Sequence, residues 1–249
     1  MNIQENVHAI LLAAGIGRRL GLDGRPKALL EIGSTSLLHR HLEILSRLGV
    51  PEVTIVIGYE KDKIIAAVAN SPSDIQVRFI ENPRFSEGSI VSLWAARNVL
   101  ENSDTILLMD ADVIYDHRLL RCILDSRHQN VLLLDRNIEP GDEPVKICVR
   151  DGEIVDFAKR PTSDCDFFGE SVGFFRLSAD ISKALSQRLS KLLATGGTGL
   201  EYEEPIRQLI QEADPEVFRF EDITGLPWTE IDFPDDVTKA QDIFSQIEM

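Results

Sequence analysis

The 249 residues carry 26 basic and 41 acidic side chains, a formal net charge of −15, which excludes the basic face of a nucleic-acid binder and points to a small-molecule partner. Hydrophobic content of 43% with 27% charged residues fits a globular chain able to bury a sizeable core, and no apolar run approaches the ~20 residues that span a bilayer. Met1–Asn6 lacks the regions of a signal peptide, and Cys122, Cys148 and Cys165, widely spaced and without a C-x-x-C pair, read as thiols of a reducing cytosol, so a cytoplasmic location is expected.

Val7 to Ala14 is an apolar run that reads as a buried strand emptying into a glycine loop. Gly15 and Gly17 let the backbone turn and offer N–H groups to an anion. Arg18, Arg19, Arg25 and Lys27 follow within ten residues. In an acidic chain this cluster needs a local cause, and a nucleoside triphosphate supplies one. Leu38, Leu42 and Leu45 mark a helix, with Ser34 or Ser36 to cap it and Gly49 to end it. Val53–Gly58 reads as a strand, 60–69 as a helix, Val77–Ile80 as a third strand, and Ser89 to Leu100 as a helix. Thr105–Met109 is an apolar strand ending in Asp110-Ala111-Asp112. This alternation implies a parallel sheet covered on both faces.

After about residue 130 strands dominate: Val131–Leu134, Val145–Val149, Ile154–Phe157 and Val172–Phe175, with a hairpin turn at Asp151-Gly152. Helices at 178–194 and 203–212, a strand at Val217–Phe220 and an amphipathic helix bearing Val237, Ala240, Phe244 and Ile247 complete the pattern. Leu193–Gly199 looks like a flexible linker. The expected fold class is α/β, one domain over 1–249, with a mostly parallel central sheet and a smaller antiparallel extension.

Asp110 and Asp112 fall at the carboxyl edge of the sheet, where open α/β folds bind ligands. Two carboxylates at i and i+2 repel unless a cation lies near, and hard Mg²⁺ prefers oxygen ligands. Asp112 is the expected direct ligand, with Asp110 close to ribose or metal; the alternative for Asp110 is a turn cap.

The run Leu12-Ala13-Ala14-Gly15-x-Gly17-Arg18-Arg19-Leu20, followed by Pro26-Lys27, resembles the signature loop of the sugar-nucleotide pyrophosphorylase and cytidylyltransferase superfamily. That resemblance implies a Rossmann-like, GT-A three-layer sandwich. It also implies a triphosphate wrapped by Leu12, Ala13, Ala14, Gly15, Gly17 and Arg18 and neutralised by Arg19 and Lys27. The superfamily more often has Thr where Arg18 stands. Trp228-Thr229-Glu230-Ile231-Asp232 resembles its W-x-x-I/V-D run, which implies Asp232 as the second metal ligand, with Asp235 and Asp236 as helix N-terminal charges. On this reading residues 1–130 hold the nucleotide, and 131–249 hold the acceptor and the final helix.

Asn82 to Trp94 resembles the N-x-x-[FY]…[GN]-[ST]-x-x-S-L segment of cytidylyltransferases acting on phosphocholine, 2-aminoethylphosphonate and inositol phosphate. CTP is therefore the expected nucleotide, with Asn82, Gly88 and Ser89 near the base; helix capping by Ser86 or Ser89 is the plainer alternative. In related enzymes a central-region lysine contacts the acceptor's phosphate or the α-phosphate. Lys146, a cation inside an apolar strand, is favoured here over Lys159, although an edge-strand lysine also guards against aggregation. Glu170, Tyr202, Glu203 and Glu204 mix carboxylates with an aromatic ring near Phe167-Phe168, which suits an alkylammonium acceptor; an ordinary helix start is the alternative for 202–204.

His8, His39, His41, His117 and His128 show no zinc spacing, and no serine elbow is present. The expected reaction is CMP transfer from CTP to a small phosphate or phosphonate with release of pyrophosphate, aided by Lys27, Arg19 and Lys146. The alternatives are UTP or dTTP with a sugar-1-phosphate, and a silent nucleotide-sensing subunit. No nucleic-acid or membrane partner is expected, and a homodimer is compatible with the sequence.

Overall fold

The computed structural model describes residues 6–21, 24–71 and 73–247; Met1–Glu5, on which most of the signal-peptide expectation rests, lie outside them. In chain order the elements are β1 (Val7–Leu12), β2 (Glu31–Ile32), β3 (Thr35–Ser36), α1 (Leu37–Arg47), β4 (Glu52–Ile57), α2 (Lys61–Ala69) and β5 (Gln76–Glu81). Then come α3 (Ser89–Ala95), α4 (Arg97–Asn102), β6 (Thr105–Asp110), β7 (Val113–Tyr115), α5 (His117–Asp125), β8 (Val131–Asp135), β9 (Lys146–Arg150) and β10 (Glu153–Ala158). The chain closes with β11 (Phe167–Ser178), α6 (Ala179–Ala194), α7 (Glu203–Glu212), β12 (Arg219–Asp222), β13 (Trp228–Glu230) and α8 (Pro234–Phe244).

The main sheet runs β10-β9-β11-β6-β1-β4-β5, with β8 between β11 and β12 off that path. β1 is parallel to β4 and β6, and β4 to β5. β11 is antiparallel to β6, β8 and β9, so the antiparallel half grows directly from the parallel one. Strand side chains alternate between faces, and here both faces are apolar. Ala9 and Leu11 pack with Leu38 and Leu42 of α1 and Leu119 and Ile123 of α5. Ile10 packs on the other face with Ile90 of α3, Leu185 and Leu189 of α6 and Ile206 of α7. Helices on both faces of one sheet make the expected three-layer sandwich.

Ser36 caps α1, its hydroxyl accepting from His39 N at 3.2 Å. The expected helix from Ser89 to Leu100 is interrupted at Ala96 and becomes α3 and α4. β11 is far longer than the expected Val172–Phe175, because three partner strands supply its hydrogen bonds along its length. β12 starts two residues later than expected. Helix α5, with Asp116 capping Arg118 N at 2.9 Å, and the short β7–β13 pair were not anticipated. The Leu193–Gly199 stretch, expected as a linker, holds the end of α6, a turn and a short 3-10 turn, and Thr198 in it approaches Gly88. A Cβ on Gly88 would lie 2.3 Å from Thr198 O, and Gly88 has φ 138°, so only glycine admits this approach.

Cys148 on β9 and Cys165 just before β11 form a disulfide, with Cα atoms 5.6 Å apart, within the usual span. β9 and β11 are neighbours, which brings these distant cysteines together. The pairing corrects the expectation of three free thiols and removes its argument for a reducing cytosol; Cys122 alone is a free thiol among the described residues. No helix among those residues is long and apolar enough to cross a membrane.

Candidate active site

β1 and β6 run side by side with Leu12 opposite Asp110, so the glycine loop and the Asp110-Ala111-Asp112 turn leave the sheet at the same edge. Beyond that edge lie two adjoining cavities. The first, about 450 Å³, is walled by Leu12, Ala14, Gly15, Gly17, Arg18 and Arg19 on one side and by Phe85, Ser86, Gly88, Ser89 and Ser92 on the other. The second, about 250 Å³, is walled by Glu143, Lys159, Glu170, Ser171, Gly173, Tyr202, Glu203, Glu230 and Asp232. Arg19, Ser89, Asp110, Asp112 and Glu201 line both.

Lys27 sits at the carboxylate cluster beside this junction. Its Nζ donates to Asp112 Oδ2 at 2.7 Å and to Asp232 Oδ1 at 2.6 Å. Burial alone would lower the ammonium's pKa, but the Asp112, Asp232 and Glu230 carboxylates outweigh it and hold Lys27 above its ordinary value. The residues meet because β13 pairs with β7, Glu230 opposite Val113, and Ile231 N donates to Asp112 O at 3.0 Å. Asp236 Oδ2 accepts from the N–H groups of Asp232 and Phe233, fixing the start of α8. One oxygen from each of Asp112, Glu230 and Asp232 lies within 4.8 Å of the others. Asp112 Oδ1 is buried with no hydrogen-bond partner among the described residues. Hard oxygen donors with a spare lone pair suit a divalent cation such as Mg²⁺.

Asp110 accepts from Tyr202 Oη at 2.5 Å. Burial and the Asp112 and Glu203 carboxylates push it well above the usual range against that hydrogen bond. Gly173 has φ 79°, and a Cβ there would lie 2.3 Å from Asp110 Oδ2; glycine lets β11 bend around the carboxylate. Ser89 Oγ donates to Glu201 Oε2 at 2.5 Å and accepts from Tyr202 N at 2.9 Å, joining the two cavities through one hydroxyl. Burial pushes Glu203 up to about 7, and burial with the nearby Asp135 does the same for Glu170, also to about 7.

The profile of the MobA-like NTP transferase domain matches residues 9–160, more than half of the sequence. The chain belongs to the MobA-like NTP transferase family. It is similar to the bifunctional IPC transferase and DIPP synthase of Rubrobacter xylanophilus, 27% identical over 96% of this chain and 52% of that protein. It is also similar to the CMP-5′-(3-aminopropyl)phosphonate synthase of Streptomyces rubellomurinus, 25% identical over 96% of this chain and 39% of that one. The chain thus spans about half the length of these curated relatives, or less. The structure of the inositol-1-phosphate CTP transferase from T. maritima superposes with a TM-score of 0.77 at 18% identity, covering 99% of both chains, a likeness of fold.

Within this NTP transferase fold the sequence-predicted residues separate into groups. Leu12, Ala14, Gly15, Gly17, Arg18, Arg19, Gly88, Ser89, Asp110 and Asp112 line the first cavity. Glu170, Tyr202, Glu203 and Asp232 line the second. Ala13 is instead buried just past the end of β1, where its N–H donates to Val56 O. Asn82 is buried and organises its own turn, binding Ser92 Oγ and Arg84 N. Glu204 points along α7 to Arg207 and Gln208, because successive helical residues cannot share a face. Lys146 gives its ammonium to the carbonyl of Lys159 at 3.0 Å, and Lys159 is the lysine on the cavity wall. Ser86 and Ser89 do not cap α3, since Gly88 holds the N-cap. Glu143, Ser171, Gly173, Glu201 and Glu230 were missed. Glu230 lies two residues before Asp232, a spacing that places two side chains on one face of an extended chain, a signal that could have found it.

Proposed function

We propose that this nucleotidyltransferase is a cytidylyltransferase that moves CMP from CTP to a small phosphate or phosphonate acceptor, with Mg²⁺ as its metal. The observation that carries the reading is the junction of two cavities at the Asp112–Lys27–Asp232 cluster. A triphosphate held by the glycine loop, Arg18 and Arg19 meets an acceptor in the second cavity at that point. There the acceptor's oxygen attacks the α-phosphorus, and the bond to the pyrophosphate leaving group breaks. Asp112, Glu230 and Asp232 would hold the Mg²⁺, which when bound neutralises phosphate oxygens. Lys27 keeps the carboxylates in register and supplies positive charge as charge develops. Lys159, on the acceptor side, takes the role that sequence reasoning gave to Lys146. Gly88 and Ser89 approach the base.

The carboxylates Glu170, Glu201 and Glu203 with Tyr202 favour an acceptor bearing an amine, and the aminopropylphosphonate named for one relative agrees with that chemistry. The test is pyrophosphate release from CTP, UTP, dTTP, ATP and GTP with 2-aminoethylphosphonate, phosphocholine, inositol-1-phosphate and a hexose-1-phosphate. The expected result is release with CTP and an amine-bearing acceptor, roughly ten- to a hundredfold above the unaminated ones in kcat/KM. Faster release from UTP or dTTP with the hexose phosphate would overturn the assignment. Preference for inositol-1-phosphate would change the acceptor alone.

A further inference from the structure

The segment between β8 and β9 is an irregular, strongly acidic strap, with Glu139 just before Pro140 and Asp142 and Glu143 between Pro140 and Pro144, and Glu143 on the wall of the second cavity. Each of the three acids is caught by a cation from elsewhere. Glu139 pairs with Lys239 of α8, and Asp142 with Arg160 at 2.7 Å. Glu143 binds two cations with the same oxygen: Oε2 lies 2.9 Å from Lys159 Nζ and 3.4 Å from Arg19 Nη1. These are cations that the functional reading gives to phosphate. The hydrogen bond from Lys159, with Arg19 beside it, holds Glu143 below the usual carboxylate range, so it is an anion at neutral pH.

We propose that Glu143 is a built-in competitor for substrate phosphate at Arg19 and Lys159, so that anion binding there and release of Glu143 with its part of the strap are one event. The proposal rests on the assignment of those two cations to phosphate. A single carboxylate on an exposed rim makes weak, salt-screened pairs, whereas a polyphosphate offers several charges to the same cations. Multiply charged anions therefore displace Glu143 easily and singly charged ones poorly, which gives the site selectivity against abundant monoanions.

The test uses inorganic pyrophosphate as probe in calorimetric titrations of the full chain at low ionic strength. Glu143→Gln should bind it about two- to fivefold more tightly than the wild type, the gain expected from removing exposed ion pairs. The difference should shrink at high salt. Hydrogen exchange across 136–145 should quicken in the wild type when pyrophosphate is added. Equal or weaker binding by Glu143→Gln, or unchanged exchange in the strap, overturns the proposal. Pyrophosphate binding that Arg19→Ala and Lys159→Ala both leave unchanged would instead remove the anion site itself, and the parent reading with it. Loss of binding in those two variants without any effect of Glu143→Gln sinks the competitor alone.

Discussion

Replacing Lys27 by Met keeps the length and apolar stem of the side chain and deletes its charge. The Lys27 side chain is only 12% exposed, and its ammonium bridges Asp112 and Asp232, whose side chains are 25% and 32% exposed. Removing one member of a buried ion pair costs ~3–5 kcal/mol, because the partner's charge is left uncompensated. Water reaching the two half-open carboxylates repays part of that, leaving about 2–3 kcal/mol. In a protein of this size that corresponds to a Tm lower by roughly 4–12 °C. With Glu230 adjacent, three carboxylates then crowd within 4.8 Å without their organic cation. Added Mg²⁺ should therefore raise the Tm of Lys27→Met by more than it raises that of the wild type. The assay is thermal denaturation in EDTA and in millimolar Mg²⁺. A variant as stable as the wild type in EDTA, or one indifferent to Mg²⁺, would refute the idea that Lys27 holds this cluster together.

Asp112→Asn and Asp232→Asn should each lower kcat by about a hundredfold or more with circular dichroism unchanged, since each removes a charge from the site of phosphoryl chemistry; near-normal turnover in either removes that residue. Lys159→Ala should cut kcat/KM for the acceptor about tenfold or more and Lys146→Ala much less, the difference a lost charge-assisted contact makes; steady-state kinetics with the order reversed would restore Lys146. Glu170 is 7% exposed and its pKa lies at about 7, above the ordinary 4.5, so the fold disfavours its ionised form. Its penalty is absent below pH 4.5, grows as pH rises to 7, and reaches ~3 kcal/mol above that. Glu170→Gln should accordingly be more stable than the wild type at pH 8 and lose that advantage at pH 4 in denaturant titrations.

The glycine-loop side of the candidate site was legible because its signals are local. An apolar strand, two glycines and a run of cations follow one another in the chain, and the Asp110–Asp112 pair sits at the end of an apolar strand. The second cavity was less so, because its geometry depends on contacts between distant segments. Glu230 joins the carboxylate cluster only because β13 pairs with β7, more than a hundred residues earlier. Lys146 and Lys159 flank the same hairpin, with Ala158 opposite Lys146, and one residue of offset decides which ammonium reaches the cavity. The sequence pattern of that hairpin is the same in either case. The Cys148–Cys165 disulfide likewise needed β11 to be laid beside β9. Helix α5, by contrast, was readable: Asp116 precedes Leu119, Leu120, Ile123 and Leu124, a cap ahead of an apolar stripe.

The proposed reaction transfers the α-phosphorus of CTP to an acceptor oxygen at the Asp112–Lys27–Asp232 junction. It is tested most directly by ³¹P NMR of the protein with CTP, Mg²⁺ and a pool of 2-aminoethylphosphonate, phosphocholine and inositol-1-phosphate. Pyrophosphate should appear together with a new pair of coupled resonances from an anhydride joining CMP to the acceptor, both absent with Asp112→Asn. Appearance of inorganic phosphate with CDP, or CTP that binds and stays intact with every acceptor, would contradict it.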